Sequence, residues 1–462
     1  MVELMGEKRL GSFFRQKLEL LLLSQREDVV ARVQSIMSLH HFTFKHVLAM
    51  EDIKGRPIDL QRALAIVVAQ EESEHIGAFT ERIVSLVERF PLSLIFTLTH
   101  ESPTDKNIFK GSKFARVLLV TPFDFFQNFK FEYMLLLRCR AQFFEIAPSD
   151  LFSMTTLPFS VFVRMPLNQR IMGVAFRGAV LSDAKYQKML SKSGLLIQAR
   201  ESSAYSEYIA TYFDQSGQSL KKRTRAIFLS IAQVWLELSE LIMFEFKVAN
   251  DEEIDSLHSQ LLHVGNQLIE IMQSQENLWD ALRETLVNDL FEKWRSPWVA
   301  AYATYISVKS GVGNPLDAFM AGMLCDVGLL DIPDSTYQKF LNEGEAGLDE
   351  KQRDEYRKHP LMSLNRCIFK KIPVSEAVKA IMVCVHERAD EQGFPSQTPF
   401  EMVPAEASLI RFAELIDLGV RTTMKENNVS FRFMKEKIWE NEKNTPGNFS
   451  PEFLDKISES LI

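Results

Sequence analysis

The chain has 462 residues, of which 46% are hydrophobic, and its formal net charge is −8. That hydrophobic content suffices for about three packed domains and excludes a largely disordered chain. The mixed, slightly acidic charge argues against a general nucleic-acid-binding surface, and four scattered cysteines argue against a disulfide framework.

Apolar runs are short throughout the sequence. None approaches the roughly 20 residues that a transmembrane helix needs. The apolar stretch 18–23 is soon followed by charged residues, so it does not have the pattern of a signal peptide. We therefore expect a cytoplasmic protein with no membrane span.

The first 140 residues alternate apolar strands with amphipathic helices. Continuous apolar strands of this kind are typical of a parallel sheet that is covered by helices on both faces. We therefore predict a doubly wound α/β domain over residues 1–140. Its strands are predicted at 18–23, 42–48, 64–69, 92–99 and 116–122, and its helices at 26–39, 73–90 and in a closing segment through Cys139.

Five such units, with threonines ending the fourth and fifth strands, resemble the receiver domain of response regulators. A working receiver needs an acidic pair after the first strand, an aspartate after the third and a lysine after the fifth. The corresponding residues here are Ser24 and Gln25, Gln70, and Thr121. None of them can hold magnesium or accept phosphate. We interpret this domain as a pseudo-receiver whose remaining role is contact with a partner or a second copy.

A smaller unit follows over residues 141–215. Alternating apolar and polar residues predict a small α/β module, which would precede the last domain. Its strands are predicted at 159–164, 173–178 and 194–197, and its helix at 182–191.

Residues 216–294 are predicted to be helical almost throughout. The segment 225–246 is apolar on most of its surface, so it is expected to be buried either in a bundle or at a dimer interface. The apolar stripe of the next helix is compatible with a coiled-coil-like pairing. A homodimer that forms through the helices of residues 220–290 is therefore one of the arrangements that the sequence allows.

The last third of the chain carries polar residues at a regular spacing. Asp326, His359, His386 and Glu414 each lie on or beside an amphipathic helix, and successive members are about 30 residues apart. A helical bundle builds a metal site in this way, with one or two inward-facing ligands from each of several helices. This spacing is more informative than any single histidine.

The order of motifs in this region resembles the HD-GYP family of bacterial phosphodiesterases. The matching segments are Cys325-Asp326, Gly328, Ile332-Pro333-Asp334, His359-Pro360, His386-Glu387-Arg388, Gly393-Phe394-Pro395, Val403-Pro404 and Ala413 to Asp417. The resemblance covers roughly residues 291–462. It implies an all-helical domain, here 295–462, that opens cyclic di-GMP with two or three metal ions.

Several metal-ligating positions of the family differ in this chain. The resemblance implies that the replacements are Arg295, Cys325 and Val385 for three histidines, Glu414 for an aspartate and Leu329 for a lysine. The ligands that it leaves unchanged are Asp326, His359 and His386. The candidate catalytic residues are therefore these last three, with Glu414 as a further candidate metal ligand.

Hydrolysis of a phosphodiester at neutral pH needs a metal-bound hydroxide and a second charge that stabilises the leaving oxygen. Two histidines and a carboxylate can hold one transition metal but not a pair. Arg295 is permanently charged and forks onto carboxylates. Our hypothesis is that Arg295 pairs with Asp326 and Glu414 in place of an ion.

Cys325 has two interpretations. As a thiolate it would be a ligand for zinc or iron, and as a thiol it would be a small buried apolar residue. We expect no cofactor, or at most one divalent ion of iron, manganese or zinc.

A loop follows the last histidine of the candidate site. Arg388, Gly393, Phe394 and Pro395 either contact a nucleotide or a partner, or form an ordinary turn in which Arg388 pairs with a neighbouring carboxylate.

Three functions remain open from the sequence. The first is an inactive HD-GYP-like binding or scaffold module in cyclic di-GMP or related signalling. Its partners would be signalling proteins such as cyclic di-GMP synthases, with cyclic di-GMP itself as a candidate ligand and no nucleic acid. The second is a weak phosphodiesterase that uses one metal, and the third is a structural partner protein that binds neither metal nor nucleotide.

Overall fold

The computed structural model describes thirteen stretches of the chain. They are residues 19–39, 43–48, 65–89, 94–99, 117–120, 135, 143–164, 171–191, 194–212, 217–243, 251–274, 295–424 and 431–458. Contacts divide the chain into two compact units, the first of residues 1–204 with 243–248 and the second of residues 205–242 with 249–462.

A five-stranded parallel sheet forms part of the first unit. Its strands are β1 (Glu19–Leu23), β2 (Thr43–Val47), β3 (Ala65–Ala69), β4 (Leu94–Leu98) and β5 (Val117–Val120). The strand order is β2-β1-β3-β4-β5, which is that of flavodoxin-like doubly wound sheets. The predicted parallel sheet is confirmed. The order is shared by several folds, so it does not by itself identify a receiver.

Two helices are described among the parallel strands, α1 (Glu27–Leu39) and α2 (Ile76–Arg89). Apolar residues of β1, β3, β4 and α2 form the core of this region, and they are Leu21, Leu23, Ile66, Val68, Phe79, Ile83, Leu86 and Ile95. The predicted helix 73–90 begins too early. Residues before Ile76 form a turn, in which the Glu71 carboxylate accepts a hydrogen bond of 2.9 Å from the backbone N–H of Gln25.

Neutral polar residues follow three of the parallel strands. Ser24, Gln70 and Thr99 come directly after β1, β3 and β4, and all three are buried. The Thr99 hydroxyl donates to the Gln70 amide oxygen at 2.7 Å, and the Gln70 amide nitrogen donates to the backbone oxygen of Glu74 at 2.8 Å. The predicted positions Thr121 and the closing helix through Cys139 lie outside the described residues.

A four-stranded antiparallel sheet follows in the first unit. Its strands are β6 (Phe143–Ile146), β7 (Val161–Arg164), β8 (Ile171–Ala175) and β9 (Leu195–Gln198), in the order β6-β9-β7-β8. The predicted helix is α3 (Asp183–Leu190). Strand β6 has no counterpart in the sequence prediction, because its residues, Phe143 to Ile146, do not alternate regularly between apolar and polar side chains.

Every regular element in the described residues of the second unit is a helix. Helix α4 (Ser202–Thr211) leads into it. The others are α5 (Gly217–Met243), α6 (Asp251–Ser274), α7 (Arg295–Ser310), α8 (Pro315–Leu324), α9 (Asp334–Glu343), α10 (Glu350–Tyr356), α11 (His359–Phe369), α12 (Glu376–Cys384), α13 (Ala405–Met424), α14 (Phe431–Asn444) and α15 (Pro451–Ser458). None of the described helices combines the length and hydropathy needed to cross a bilayer.

The apolar helix α5 is covered within its own unit. Phe228 stacks on Trp298 of α7 with ring centroids 5.1 Å apart, and Leu238 and Leu241 face Leu261 of α6 across a small apolar cavity. Of the two environments that the sequence allowed for this helix, the structure shows the bundle. Dimer contacts through residues 220–290 stay a prediction.

Small residues bring α7 and α8 close together. A Cβ atom on Gly322 would lie 2.7 Å from the backbone Cα of Ala300, so only glycine allows this approach. Helix α7 also packs against α13. These two contacts bring the beginning of α7, the end of α8 and the middle of α13 into one region.

Candidate metal centre

Five chain positions meet at the centre of the helical unit. Arg295 begins α7, Asp326 follows α8, His359 begins α11, His386 follows α12, and Glu414 lies in α13. The side chains of Asp326, His359, His386 and Glu414 are 7%, 1%, 1% and 1% exposed. The structure therefore brings the predicted polar positions together in a buried cluster.

A tight turn after α8 aims Asp326 into the cluster. The Ser363 hydroxyl of α11 accepts a hydrogen bond from the backbone N–H of Gly328 at 2.8 Å and donates one to the backbone oxygen of Cys325 at 2.5 Å. A Cβ on Gly328 would lie 2.3 Å from the backbone oxygen of His359. The glycine thus lets the Asp326 turn contact the helix that carries His359.

The two histidines face each other. Their Nε2 atoms are 3.0 Å apart, and the Nδ1 atom of His359 is 2.7 Å from the backbone oxygen of Tyr356. Aromatic rings enclose the pair: Phe394 stacks on His386 with centroids 4.5 Å apart, and Tyr356 lies beside His359 at 4.7 Å.

Arg295 lies between the two carboxylates. Its Nη2 atom is 2.7 Å from Oε1 of Glu414, and its Nε atom is 3.5 Å from Oδ2 of Asp326. Both carboxylate atoms are buried, and neither accepts a hydrogen bond of good geometry. The guanidinium therefore contacts both carboxylates mainly as an ion pair, and its replacement of a metal ion stays a prediction.

Arg411 is a second cation at the cluster. It lies on α13 one turn before Glu414, and its Nη1 atom is 3.1 Å from Oε2 of Glu414 and 3.3 Å from Nδ1 of His386. Sequence reasoning missed this residue. Its signal was an Arg–Glu pair at i and i+3 within an otherwise apolar face of a helix.

Burial and charge shift the pKa values of the cluster in one consistent pattern. Burial lowers the pKa of His359 to about 4 and lowers that of His386 well below its usual range, so both rings are neutral at pH 7. Burial raises the pKa of Asp326, although Arg295 opposes this. Burial by itself would lower the pKa of Arg295, but Glu414 and Asp326 raise it well above its usual value.

Cys325 lies beside the cluster as a buried thiol. Burial and the nearby Asp326 raise the pKa of Cys325 well above its usual value, and its sulfur lies 3.7 Å from the backbone oxygen of Gly322. This environment disfavours the thiolate that would bind zinc or iron. Of the two interpretations, it supports that of a small buried residue.

Two groups of side chains have ligand atoms close enough for one ion. Asp326, His359 and His386 form the first group, and Cys325, Asp326 and Glu414 form the second, with ligand atoms within 4.8 Å of one another in each. The sequence suggested Glu414 as a further ligand beside Asp326, His359 and His386. In the structure, Glu414 belongs to the second group and not to the first. In the second group, Arg295 contacts both carboxylates, so a cation of the chain already lies where these residues would hold a metal ion.

The first group does fit a single metal by type and number of ligands. The two Nε2 atoms, 3.0 Å apart, are near enough to each other that one ion could be held by both histidines. Oδ1 of Asp326 is 3.7 Å from Nε2 of His359. When bound, such an ion would supply Lewis-acid chemistry at this position.

The loop after His386 is held by a buried carboxylate. Glu387 accepts hydrogen bonds from the backbone N–H groups of Ser396 and Thr398 at 2.9 and 3.1 Å. A Cβ on Gly393 would lie 2.5 Å from the Cα of Glu387, so the loop folds tightly onto its own start. The Phe394–Pro395 peptide bond is cis. Of the loop candidates, Phe394 contacts the histidine pair.

Arg388 pairs with a carboxylate outside the histidine cluster. It binds Asp390 through two hydrogen bonds of 2.9 and 2.6 Å, and the backbone of Asp390 bonds to Gly447. The structure thus shows the pairing with a neighbouring carboxylate that was one of the two sequence interpretations.

Comparison with known families gives one match. The family model described as HD domain matches residues 259–436, from within α6 to within α14. Residues 259–436 form an HD domain. All the cluster residues from Arg295 to Glu414 lie inside it. No curated protein matches the chain.

Two solved structures with HD domains are similar to the chain at low identity. One is Bd1817, a HDG"Y"P protein from Bdellovibrio bacteriovorus, with 17% identity, a TM-score of 0.44, and coverage of 69% of this chain and 99% of that one. The other is the HD domain of the L. monocytogenes phosphodiesterase PgpH in complex with cyclic-di-AMP, with 15% identity, a TM-score of 0.27, and coverage of 39% and 92%.

Proposed function

We propose that this chain is a catalytically impaired HD-GYP-like protein that acts as a binding or scaffold module in bacterial cyclic di-GMP or related signalling. The main support is the position of Arg295, 2.7 Å from Glu414 and 3.5 Å from Asp326. A cation of the chain itself neutralises the two carboxylates that a metal pair would need. A guanidinium cannot activate water as a metal ion does.

The first unit supports the same proposal. In the pseudo-receiver interpretation, the phosphorylation site would lie at the carboxyl ends of the parallel strands. The neutral residues Ser24, Gln70 and Thr99 occupy that edge, and none of them carries the carboxylate that binds magnesium and accepts phosphate in a receiver. Our proposed organisation is a pseudo-receiver at 1–140, an α/β module at 141–215, connecting helices at 216–294 and the degenerate domain at 295–462.

The first experiment measures metal content and activity of the full-length protein. Inductively coupled plasma mass spectrometry should find well under one metal per chain, and cyclic di-GMP should remain intact with added Fe²⁺ or Mn²⁺. Calorimetry with cyclic di-GMP and cyclic di-AMP then tests nucleotide binding. One or more tightly held ions together with hydrolysis, both lost in His359→Ala/His386→Ala, would refute the proposal.

A variant at Arg295 tests the charge replacement directly. Arg295→Met removes the cation that contacts both Asp326 and Glu414, which should destabilise the helical unit by roughly 2–4 kcal/mol. A divalent cation should now bind the carboxylates, so Mn²⁺ should raise the melting temperature of this variant but not of the wild type.

The matched control is Arg366→Met. Arg366 makes a two-point contact with Asp331 outside the cluster. Its loss should also lower stability, but without any response to Mn²⁺. Equal Mn²⁺ responses in both variants would contradict the role of Arg295.

One observation favours the alternative of a weak phosphodiesterase. The ligand atoms of Asp326, His359 and His386 lie close enough to hold one ion. Metal-dependent hydrolysis by the wild type, abolished by His359→Ala alone, would establish this alternative. Absence of both metal and nucleotide binding would leave a purely structural interaction protein.

A further inference from the structure

Arg411 makes a contact that the proposed function does not use. Its Nη1 atom lies 3.3 Å from Nδ1 of His386, while the same atom is 3.1 Å from Oε2 of Glu414. Arginine has donors only, so its hydrogen bond to His386 requires a lone pair on Nδ1. This contact therefore bears on which nitrogen of His386 carries the proton.

The partners of the two rings fix a single arrangement of protons. Nδ1 of His359 faces the backbone oxygen of Tyr356 at 2.7 Å, so this nitrogen donates and Nε2 of the neutral ring has the lone pair. Nε2 of His386, 3.0 Å away, must then donate to it. This leaves Nδ1 of His386 as the acceptor for Arg411, and every ring nitrogen has a partner of the right kind.

A metal ion at this position would need a different arrangement. Binding to both Nε2 atoms requires a lone pair on each, so the proton of His386 would have to move to Nδ1. That N–H would face the N–H of Arg411. No proton is gained or lost in this exchange, but one favourable hydrogen bond becomes a contact between two donors.

We propose that Arg411 is a positioning residue that holds His386 in the tautomer with Nε2 protonated, and thereby keeps Asp326, His359 and His386 from binding a divalent metal. This inference rests on the proposed function, in which the site works without metal. In this inference, two arginines oppose metal binding: Arg411 through the histidine pair and Arg295 through the carboxylates.

The surroundings of His386 support a specific consequence of removing Arg411. Oε2 of Glu414 is 3.7 Å from Nδ1 of His386 and would become the nearest acceptor for an Nδ1 proton. Histidines that bind metals commonly donate their second N–H to a carboxylate or a carbonyl oxygen. His359 already has such an acceptor in Tyr356. Without Arg411, both rings would have the partners that metal-binding histidines have.

Cobalt binding tests the inference in the full-length protein. Co²⁺ is titrated into the wild type, Arg411→Met and Arg411→Lys, and binding is followed by visible absorption and by equilibrium dialysis. Arg411→Met should bind Co²⁺ at least about tenfold more tightly than the wild type, the size expected for a change beside a ligand. Arg411→Lys keeps a donor-only cation and should bind no better than the wild type.

A second readout reports the proton position without any metal. Solid-state ¹⁵N spectra of histidine-labelled protein distinguish the two neutral tautomers, and His386→Gln identifies the His386 signals by their loss. The wild type should show His386 protonated at Nε2, and Arg411→Met should shift the population towards Nδ1. Circular dichroism and thermal unfolding establish that each variant is folded.

The outcomes separate this inference from the proposed function. If folded Arg411→Met keeps the wild-type tautomer and the wild-type Co²⁺ affinity, the inference is wrong while an impaired metal-free protein still stands. If the wild type itself holds metal and hydrolyses cyclic di-GMP, the proposed function is wrong. A protonated Nδ1 on His386 in the wild type would also overturn the inference.

Discussion

The hydroxyl group of Ser363 holds the turn that contains Asp326. Its oxygen accepts from the backbone of Gly328 and donates to that of Cys325, on either side of Asp326. Both bonds are buried. The direction of the Asp326 side chain therefore depends on one residue of another helix.

Ser363→Ala leaves one buried N–H and one buried carbonyl oxygen without a partner. We expect a loss of about 2–4 kcal/mol in the free energy of unfolding of the helical unit. Chemical denaturation followed by tryptophan fluorescence measures it. Ser310→Ala is the control, since that hydroxyl donates to the backbone oxygen of Ile306 and accepts from the backbone N–H of Val312, both local contacts in partly exposed surroundings. Equal losses in the two variants would contradict the prediction.

Glu201 gives a pH dependence in the first unit. Burial raises its pKa above the ordinary 4.5, against a hydrogen bond from the Ser160 backbone. A raised carboxyl pKa means that its contribution to stability is fully present below about 4.5 and is lost as pH rises through the folded value. We therefore expect Glu201→Gln to gain stability relative to the wild type between pH 4 and pH 7, measured by urea unfolding followed by circular dichroism. A difference that stays constant over this range would refute the assignment.

The residues that bring the cluster together show what the sequence could and could not predict. Asp326, His359, His386 and Arg295 were found from spacing and motif order, because each lies at a helix end that the sequence marks. Arg411 and Ser363 were not, because the residues that place them in the cluster, His386 and Cys325, lie 25 and 38 residues away in the chain. A contact of this kind depends on how helices cross, which periodicity does not determine.

At the scale of helices, the crossing of α7 and α8 positions the cluster. Gly322→Ala would place a methyl group 2.7 Å from the Cα of Ala300. We expect a net loss of about 1–3 kcal/mol, since overpacking outweighs the helix propensity gained by alanine. Differential scanning calorimetry measures it.

Gly77→Ala in α2 is the matched control for this prediction. The nearest atom to a Cβ there is Nδ1 of His75 at 3.4 Å, an ordinary contact. It should be neutral or slightly stabilising in the first unit. If Gly322→Ala were equally harmless, the close crossing of α7 and α8 would be wrong.

Elements were predicted best where their apolar pattern was regular. The parallel strands and the long helices α5 and α6 have clear apolar periods, and their type was predicted correctly with shifted ends. The four-residue strand β6 was missed. The residues of β6 alternate between half-buried and buried. The position of β6 in the sheet depends on its pairing with β9, a strand much later in the chain.

At the scale of the whole molecule, the division into two compact units predicts that each unit folds without the other. A fragment of residues 202–462 keeps α4 whole and contains the HD domain. It should be soluble and unfold cooperatively, since its core residues lie within it. All five tryptophans lie beyond residue 204, so fluorescence reports this unit alone. A fragment that binds the dye ANS and lacks a cooperative transition would contradict the division.

The contact of Arg295 with Asp326 and Glu414 also bears on whether the cluster needs a metal ion from the cell. The charge that balances Asp326 and Glu414 is synthesised with the polypeptide and cannot be chelated, exchanged or oxidised away. An iron-containing enzyme varies with the nutrient supply of the cell, whereas under the proposed function this cluster would be complete as soon as the chain folds. A binding module built in this way would respond to its partners and stay indifferent to metal starvation.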